Sequence, residues 1–306
     1  MQNEPAGLAV EQETRAEHAP AVSVVVPAFN EEGAVAQDLS AIKQVLDGSG
    51  LHYELIVVDD GSTDRTAENA QSVDGITLYQ HSTNRGYGSA VKTGIRHARG
   101  ELIVITDADG TYPAEAIPDL VADLEDCDMA VGARTGEVVQ VPFLRKPAKW
   151  FITRLASYLA ETRIPDLNSG LRAFRRKTAM RFFGMLPAGF SFTTTITLAM
   201  LCNGLDVRFR PIDYYHRTGK SKIRPLRDTY NFILLIIRTI CYFNPLKVFL
   251  PLAFLTFLGG FGKLVLNLAV AHRVAGTEIL LIVAALQLAM TGLVADALAS
   301  SRAPTE

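Results

Sequence analysis

Short runs of branched apolar residues, each closed by an acidic pair, organise the first part of the chain. Glu54-Leu55-Ile56-Val57-Val58 and Glu101-Leu102-Ile103-Val104-Ile105 lack polar alternation, the mark of strands buried on both faces of a parallel sheet. Four strand-then-helix units are predicted. A strand over Val22–Pro27 precedes a helix from Glu31, and one over Tyr53–Asp59 precedes a helix beginning near Asp64. Ile76–Tyr79 leads to a helix over Tyr87–Ala98, and Glu101–Thr106 to one around Ala114–Leu124. Asp128–Gly132 adds a fifth strand. This alternation predicts an α/β fold, a Rossmann-like, mostly parallel sheet with helices on both faces.

After Arg134 the pattern changes. Lys146–Glu161 sets Trp150, Phe151, Ile152, Leu155, Tyr158 and Leu159 among Lys149 and Arg154, which predicts an amphipathic helix suited to an interface. Arg224–Asn244 predicts a second. Phe249–Ala271 and Ile279–Ala299 are almost wholly apolar, and roughly 20 residues suffice to cross a hydrocarbon core about 30 Å thick. The short link His272–Thr277 makes the two spans a C-terminal two-helix transmembrane hairpin. Lys220, Lys222, Arg224, Arg227, Arg238 and Lys247 precede it, against Arg273 alone in its loop, so the large domain is expected in the cytoplasm. Lys263 lies inside the first span, close enough to its far end to snorkel. The expected divisions are a tail over 1–20, an α/β domain over 21–223, a juxtamembrane segment over 224–245, the hairpin over 246–300 and a tail over 301–306.

Composition narrows the classes. With 306 residues, a net charge of −2 and a pI of about 6.3, no nucleic-acid partner is expected. Cys127, Cys202 and Cys241 have neither pair nor metal spacing, which fits a reduced compartment without disulfides or zinc. Met1–Pro20 is polar and Glu-, Gln- and Ala-rich, so a disordered tail is expected there and no signal peptide.

Asp59-Asp60-Gly61-Ser62 and Asp107-Ala108-Asp109-Gly110 follow two of the buried strands. Both acidic pairs therefore fall at carboxyl ends, the ligand-binding edge of an open α/β sheet. Four converging carboxylates repel unless a cation sits between them, and a hard divalent ion takes such oxygens. An ion held this way would grip a diphosphate, which points to an enzyme handling a nucleotide-diphosphate substrate.

Val25-Val26-Pro27-Ala28-Phe29-Asn30-Glu31-Glu32, Asp59-Asp60-Gly61-Ser62, Asn84-Arg85-Gly86 and Asp107-Ala108-Asp109 resemble, in that order, inverting family 2 glycosyltransferases of the GT-A fold. Asn168-Ser169-Gly170-Leu171-Arg172 and Arg217-Thr218-Gly219-Lys220-Ser221-Lys222 resemble the dolichol- and polyprenyl-phosphate sugar synthase branch, and the similarity runs from about Val22 to Leu250. The resemblance implies that Pro27, Phe29 and Glu31 line the nucleoside pocket, near Asn84 and Gly86, with Asp59 or Asp60 accepting from the base. It implies that Asp107 and Asp109 hold Mg²⁺ or Mn²⁺ against the diphosphate. Where family members carry a Gln ligand this chain has Thr111, which leaves the third position open. Lys222, with Arg217 or Lys220, is implied as the cationic cover over the diphosphate, and Arg134 and Arg145 as the grip on a lipid phosphate. The implied partners are a nucleotide-diphosphate sugar (UDP-glucose first, GDP-mannose second), a polyprenyl phosphate and the membrane, with a homo-oligomer possible.

One absence sharpens the chemistry. Transfer to a sugar hydroxyl needs a positioned carboxylate to take the proton, and in this family it usually comes from the stretch corresponding to Gly189–Thr197. Between Asp166 and Asp206 there is no Asp or Glu. A phosphate acceptor is already anionic and needs only arginines to orient it. Asp166 remains a secondary candidate for the base of a hydroxyl-acceptor polysaccharide enzyme. A membrane scaffold without catalysis would have no use for Asp107 and Asp109 at a strand end.

Overall fold

The computed structural model describes residues 20–139, 153–158, 160–189, 191–215, 225–272 and 274–300. Seven strands form one sheet: β1 Val22–Ala28, β2 Tyr53–Asp59, β3 Ile76–Gln80, β4 Leu102–Ile105, β5 Met129–Val139, β6 Arg172–Arg175 and β7 Val207–Tyr214. Their order is β3-β2-β1-β4-β6-β5-β7. The strands from β3 to β4 run parallel. β6 is antiparallel to both β4 and β5, and β7 is again parallel to β5. The sheet is thus mixed and mostly parallel, and the five predicted strands are all present. β6 and β7 escape the apolar-run signal because Arg172 and Arg175 bracket one and Pro211 and Asp213 interrupt the other.

Helices α1 (Val35–Ser49), α2 (Thr66–Gln71), α3 (Tyr87–His97) and α4 (Ala116–Asp123) follow β1 to β4 in turn. The apolar stripe Val35, Leu39, Ile42 and Leu46 buries one face of α1, and Gly50 ends it at φ 72°. Every residue of β1 is buried. Val24, Val26, Leu55, Val57 and Val104 share a core cluster with Leu39, Leu46, Ile117 and Leu120. That core fixes the sheet edge from which the acidic loops emerge. Two further helices belong to the later part of the chain, α5 (Arg176–Phe182) and α6 (Phe192–Cys202).

A second compact unit contains α7 (Pro225–Phe243), α8 (Leu246–Ala271) and α9 (Gly276–Ser300). α8 and α9 have 26 and 25 residues. At 1.5 Å per residue each is roughly 38 Å long, more than the ~30 Å of a hydrocarbon core. Phe254, Leu255, Leu266, Leu280 and Leu286 are all at least 60 % exposed, an arrangement that calls for an apolar solvent. Glycines bring the pair together. A Cβ on Gly260 would lie 2.8 Å from the Leu281 Cβ, and one on Gly292 2.7 Å from the Phe249 Cβ. Near the loop end, Lys263 Nζ donates to Thr277 Oγ1 at 2.9 Å. Asn267 Nδ2 donates to the buried carboxylate of Glu278.

Candidate active site

The loops after β1 and β2 are tied to each other backbone to side chain. Asn30 N donates to Ser62 Oγ at 2.9 Å, and Asn30 Oδ1 accepts from Thr63 N at 2.9 Å. Asn30 itself has φ 54°, a left-handed conformation that asparagine tolerates better than most residues. Glu31 N donates to Thr66 Oγ1 at 2.8 Å. Asp64 Oδ1 accepts from Thr66 N at 3.0 Å, an Asx turn that leads the chain into α2. Pro27 is buried opposite Val58, while Phe29 and Glu31 are half-buried at the rim.

Asp59 and Asp60 are both buried, at 3 % exposure, but their carboxylates are used differently. Asp59 Oδ1 accepts from Ser62 N at 3.2 Å. Asp60 Oδ1 accepts from Arg85 N at 2.9 Å and Oδ2 from Gly86 N at 2.7 Å. Asp60 therefore shapes the Asn84-Arg85-Gly86 turn, and both its oxygens face its own chain. Gly86 stands at φ 95° before α3, and a Cβ there would meet the Ala188 carbonyl at 2.7 Å. Asn84 is exposed.

Beyond β4, the Asp107 carboxylate is packed over a glycine. A Cβ on Gly170 would lie 2.5 Å from Asp107 Oδ2 and 2.9 Å from Oδ1. Gly170 N donates to the Tyr112 hydroxyl at 2.7 Å. The Tyr87 phenol is buried close by. Burial first, then the Asp107 charge, raises its pKa, so it stays protonated beside the carboxylate. Thr111, fully buried, donates from Oγ1 to Asp109 Oδ1 at 2.5 Å. Its hydroxyl holds the Asp109 carboxylate in place.

Negative charge accumulates here. The Asp38 carboxyl, on α1, is pushed up to about 6, chiefly by burial. The Gly110 N–H opposes the shift, and the neighbouring Asp109 and Glu31 charges add to it. Among the described residues no three His, Cys, Asp or Glu side chains form a group able to hold a metal ion. Asp107 and Asp109 are hard oxygen donors in an acidic neighbourhood, which fits a divalent cation whose remaining ligands come from a bound diphosphate or water.

Arg134 and Asp166 form a forked ion pair. Arg134 Nε donates to Asp166 Oδ2 at 2.6 Å, Nη2 to Oδ1 at 2.9 Å, and the Arg134 backbone N to Oδ2 at 3.1 Å. The Arg134 side chain is 19 % exposed and that of Asp166 1 %. Burial alone would lower the arginine's pKa, but the Asp166 carboxylate raises it above its ordinary value. Its guanidinium also lies 5.1 Å over the Tyr214 ring, which meets Tyr112 edge-on at 5.3 Å. Arg172 is wholly buried, with Nη1 donating to Thr193 O at 2.9 Å and Thr197 Oγ1 at 3.0 Å, and Nη2 to Ser169 O. Thr194 Oγ1 donates to Asn168 Oδ1 at 2.6 Å, so the first turns of α6 are fastened to the Asn168–Arg172 segment. Arg145, Arg217, Lys220 and Lys222 lie outside the described residues.

The family described as Glycosyl transferase family 2 matches residues 23–183, more than half of the chain. The chain belongs to glycosyl transferase family 2. Residues 244–300 match a second description, GtrB C-terminal hairpin, over the segment that forms α8 and α9. Among family relatives, a dolichyl-phosphate hexose transferase of Haloferax volcanii is 32 % identical over 206 residues, covering 67 % of this chain and 87 % of that protein. The low-salt glycan biosynthesis hexosyltransferase Agl6 of the same organism is 30 % identical over 221 residues, covering 70 % of this chain. The chain matches only 52 % of that relative's length. Glucosyl-3-phosphoglycerate synthase from Mycobacterium tuberculosis, solved with Mn²⁺, UDP and phosphoglyceric acid, aligns with a TM-score of 0.58 at 21 % identity, covering 78 % of this chain and 84 % of that one. At that identity the likeness establishes a shared fold, in agreement with the expected GT-A sheet.

Within the family frame, several residues of the site carry little signal in the sequence. Gly170 matters for an atom it lacks, and Tyr112, Tyr87 and Arg172 act from beneath the carboxylates. For Gly170 and Arg172 the one trace is the Asn168–Arg172 motif, which marks a segment without assigning roles within it.

Proposed function

We propose that the protein is a membrane-anchored hexosyltransferase that moves a sugar from a nucleotide diphosphate to a polyprenyl or dolichyl phosphate, with inversion at the anomeric carbon. The observation that carries this reading is the fate of Asp166. Both its oxygens are bound by Arg134, and no Asp or Glu lies between Asp166 and Asp206. That supports an acceptor needing no general base, and a phosphate is such an acceptor. The lipid phosphate oxygen forms the new bond to the anomeric carbon while the bond to the nucleotide diphosphate breaks. Asp107 and Asp109 would hold Mg²⁺ or Mn²⁺, which when bound supplies positive charge to the departing diphosphate. Pro27, Phe29, Glu31 and Asp59, with the Asn84–Gly86 turn, would receive the nucleoside. Arg145 and the outward part of Arg134 would orient the acceptor, and Lys222, with Arg217 or Lys220, would cover the diphosphate. UDP-glucose is the favoured substrate and GDP-mannose the second.

Two expectations test the reading. In Gly170→Ala, the new methyl would stand 2.5 Å from Asp107 Oδ2 and push the carboxylate by about 1 Å, and misplacement on that scale costs about 100-fold in rate. A transfer assay should fall accordingly while circular dichroism stays native, and unchanged turnover would reject the role given to Asp107. The charge imbalance across α8 and α9 supports a cytoplasmic position for the sheet domain and for Glu306. An alkaline phosphatase fused after Glu306, active only outside the cytoplasm, should be silent. A strong signal would mean an odd number of spans.

A further inference from the structure

We propose that His81 is a positioning residue for the nucleotide, acting through Asp60 to hold the Asn84-Arg85-Gly86 turn in its receiving shape. The inference rests on the nucleotide reading above. His81 directly follows β3, and its backbone N donates to Asp59 O at 2.9 Å. Its side chain is 6 % exposed and lies between two elements. Nδ1 meets Asp60 Oδ1 at 2.7 Å, and Nε2 meets Thr93 Oγ1, on α3, at 2.9 Å. An ionised Asp60 only accepts, so Nδ1 carries the proton in this contact. The carboxylate thus receives three donors: His81 Nδ1–H, Arg85 N–H and Gly86 N–H.

The geometry makes the imidazole a lock on the plane of that carboxylate. Asp60 is 96 % shielded in its side chain, so water does not replace a lost donor easily. Gly86 is held at φ 95°, where the free chain would spread over other conformations. The turn and Asp59 lie at the same carboxyl edge of neighbouring strands, since Asp59 pairs with Gln80, the residue before His81. Losing the lock would loosen one wall of the nucleoside pocket and leave Asp107 and Asp109 untouched.

Side-chain geometry supplies a discriminating test. An Asn amide nitrogen occupies nearly the place of His Nδ1, whereas a Gln amide reaches the place of Nε2. Calorimetric titration of the full-length protein with UDP and with GDP, each with Mn²⁺, reads binding directly. His81→Leu should weaken the nucleotide that the wild type binds by about tenfold, the worth of roughly one charge-assisted hydrogen bond. His81→Asn should restore most of the affinity and His81→Gln should not. At saturating nucleotide sugar, turnover of His81→Leu should stay within about twofold of wild type, the signature of lost binding and not of lost chemistry. Amide exchange at Arg85 and Gly86 should quicken in His81→Leu and return in His81→Asn. Wild-type affinity and exchange in His81→Leu would overturn the proposal, as would equal rescue by Asn and Gln. A wild type that binds neither nucleotide would instead bring down the nucleotide reading, and this proposal with it.

Discussion

Asp107→Ala and Asp109→Ala are each expected to reduce sugar transfer by a factor of about 1000 or more, with the fold intact. Asp107 is seated against Gly170 and beside the Tyr87 phenol, and Asp109 is held by Thr111. Each carboxylate is therefore pre-set before any ion arrives, and the neighbouring Glu31 and Asp38 cannot swing in without leaving their own positions. Chelation by EDTA should silence the wild type, and Mn²⁺ or Mg²⁺ should restore it. Retained transfer in either variant, measured with a radiolabelled sugar nucleotide, would remove the metal assignment.

The second large effect concerns the buried pair. Arg134→Ala leaves the Asp166 carboxylate, 1 % exposed, without its counter-charge. Breaking one side of such a pair costs about 3–5 kcal/mol. Asp166→Ala should cost a similar amount by stranding the guanidinium. Both should appear as a marked fall in the melting midpoint in detergent. Arg134→Met combined with Asp166→Leu should recover much of that loss, because a buried ion pair is often no more stabilising than apolar groups of similar volume. Arg145→Ala should behave differently and leave the midpoint alone. It should raise the KM for polyprenyl phosphate by roughly 10- to 150-fold, the equivalent of one charged contact, with the KM for the sugar nucleotide unchanged. If Asp166 were a general base, Asp166→Asn would be inactive yet stable, and steady-state kinetics beside thermal melts separates the two cases.

The strands that present the acidic loops are legible in the sequence because burial on both faces demands uninterrupted apolar runs, as in Leu55–Val58 and Leu102–Ile105. The hairpin is legible for a similar reason, since a span needs about 20 apolar residues in a row. β6 leaves no such trace. Arg172 sits on it fully buried, paired through space with Thr193 and Thr197, and no local rule anticipates a buried arginine. Asp60 shows the same limit from the other side. An acidic pair announces a site, but only the positions of Arg85 N and Gly86 N reveal that one carboxylate of the pair is committed to the backbone. Arg134 likewise stands out as a cation, whereas its partner lies 32 positions away.

The polar cluster at the loop end of the hairpin bears on how this protein is made. Lys263 and Glu278 are ionisable residues within the two apolar helices, and a charge standing alone in a span costs about 2.5–3.5 kcal/mol at its centre and less toward its ends. In the finished hairpin, Lys263 faces Thr277 and Asn267 holds Glu278. These partners come from opposite helices separated by only a short loop, so they become available to one another only after α9 has been synthesised. The two spans are therefore best suited to leave the translocon together. A ribosome that stalls between them would release a first span with its lysine still looking for company.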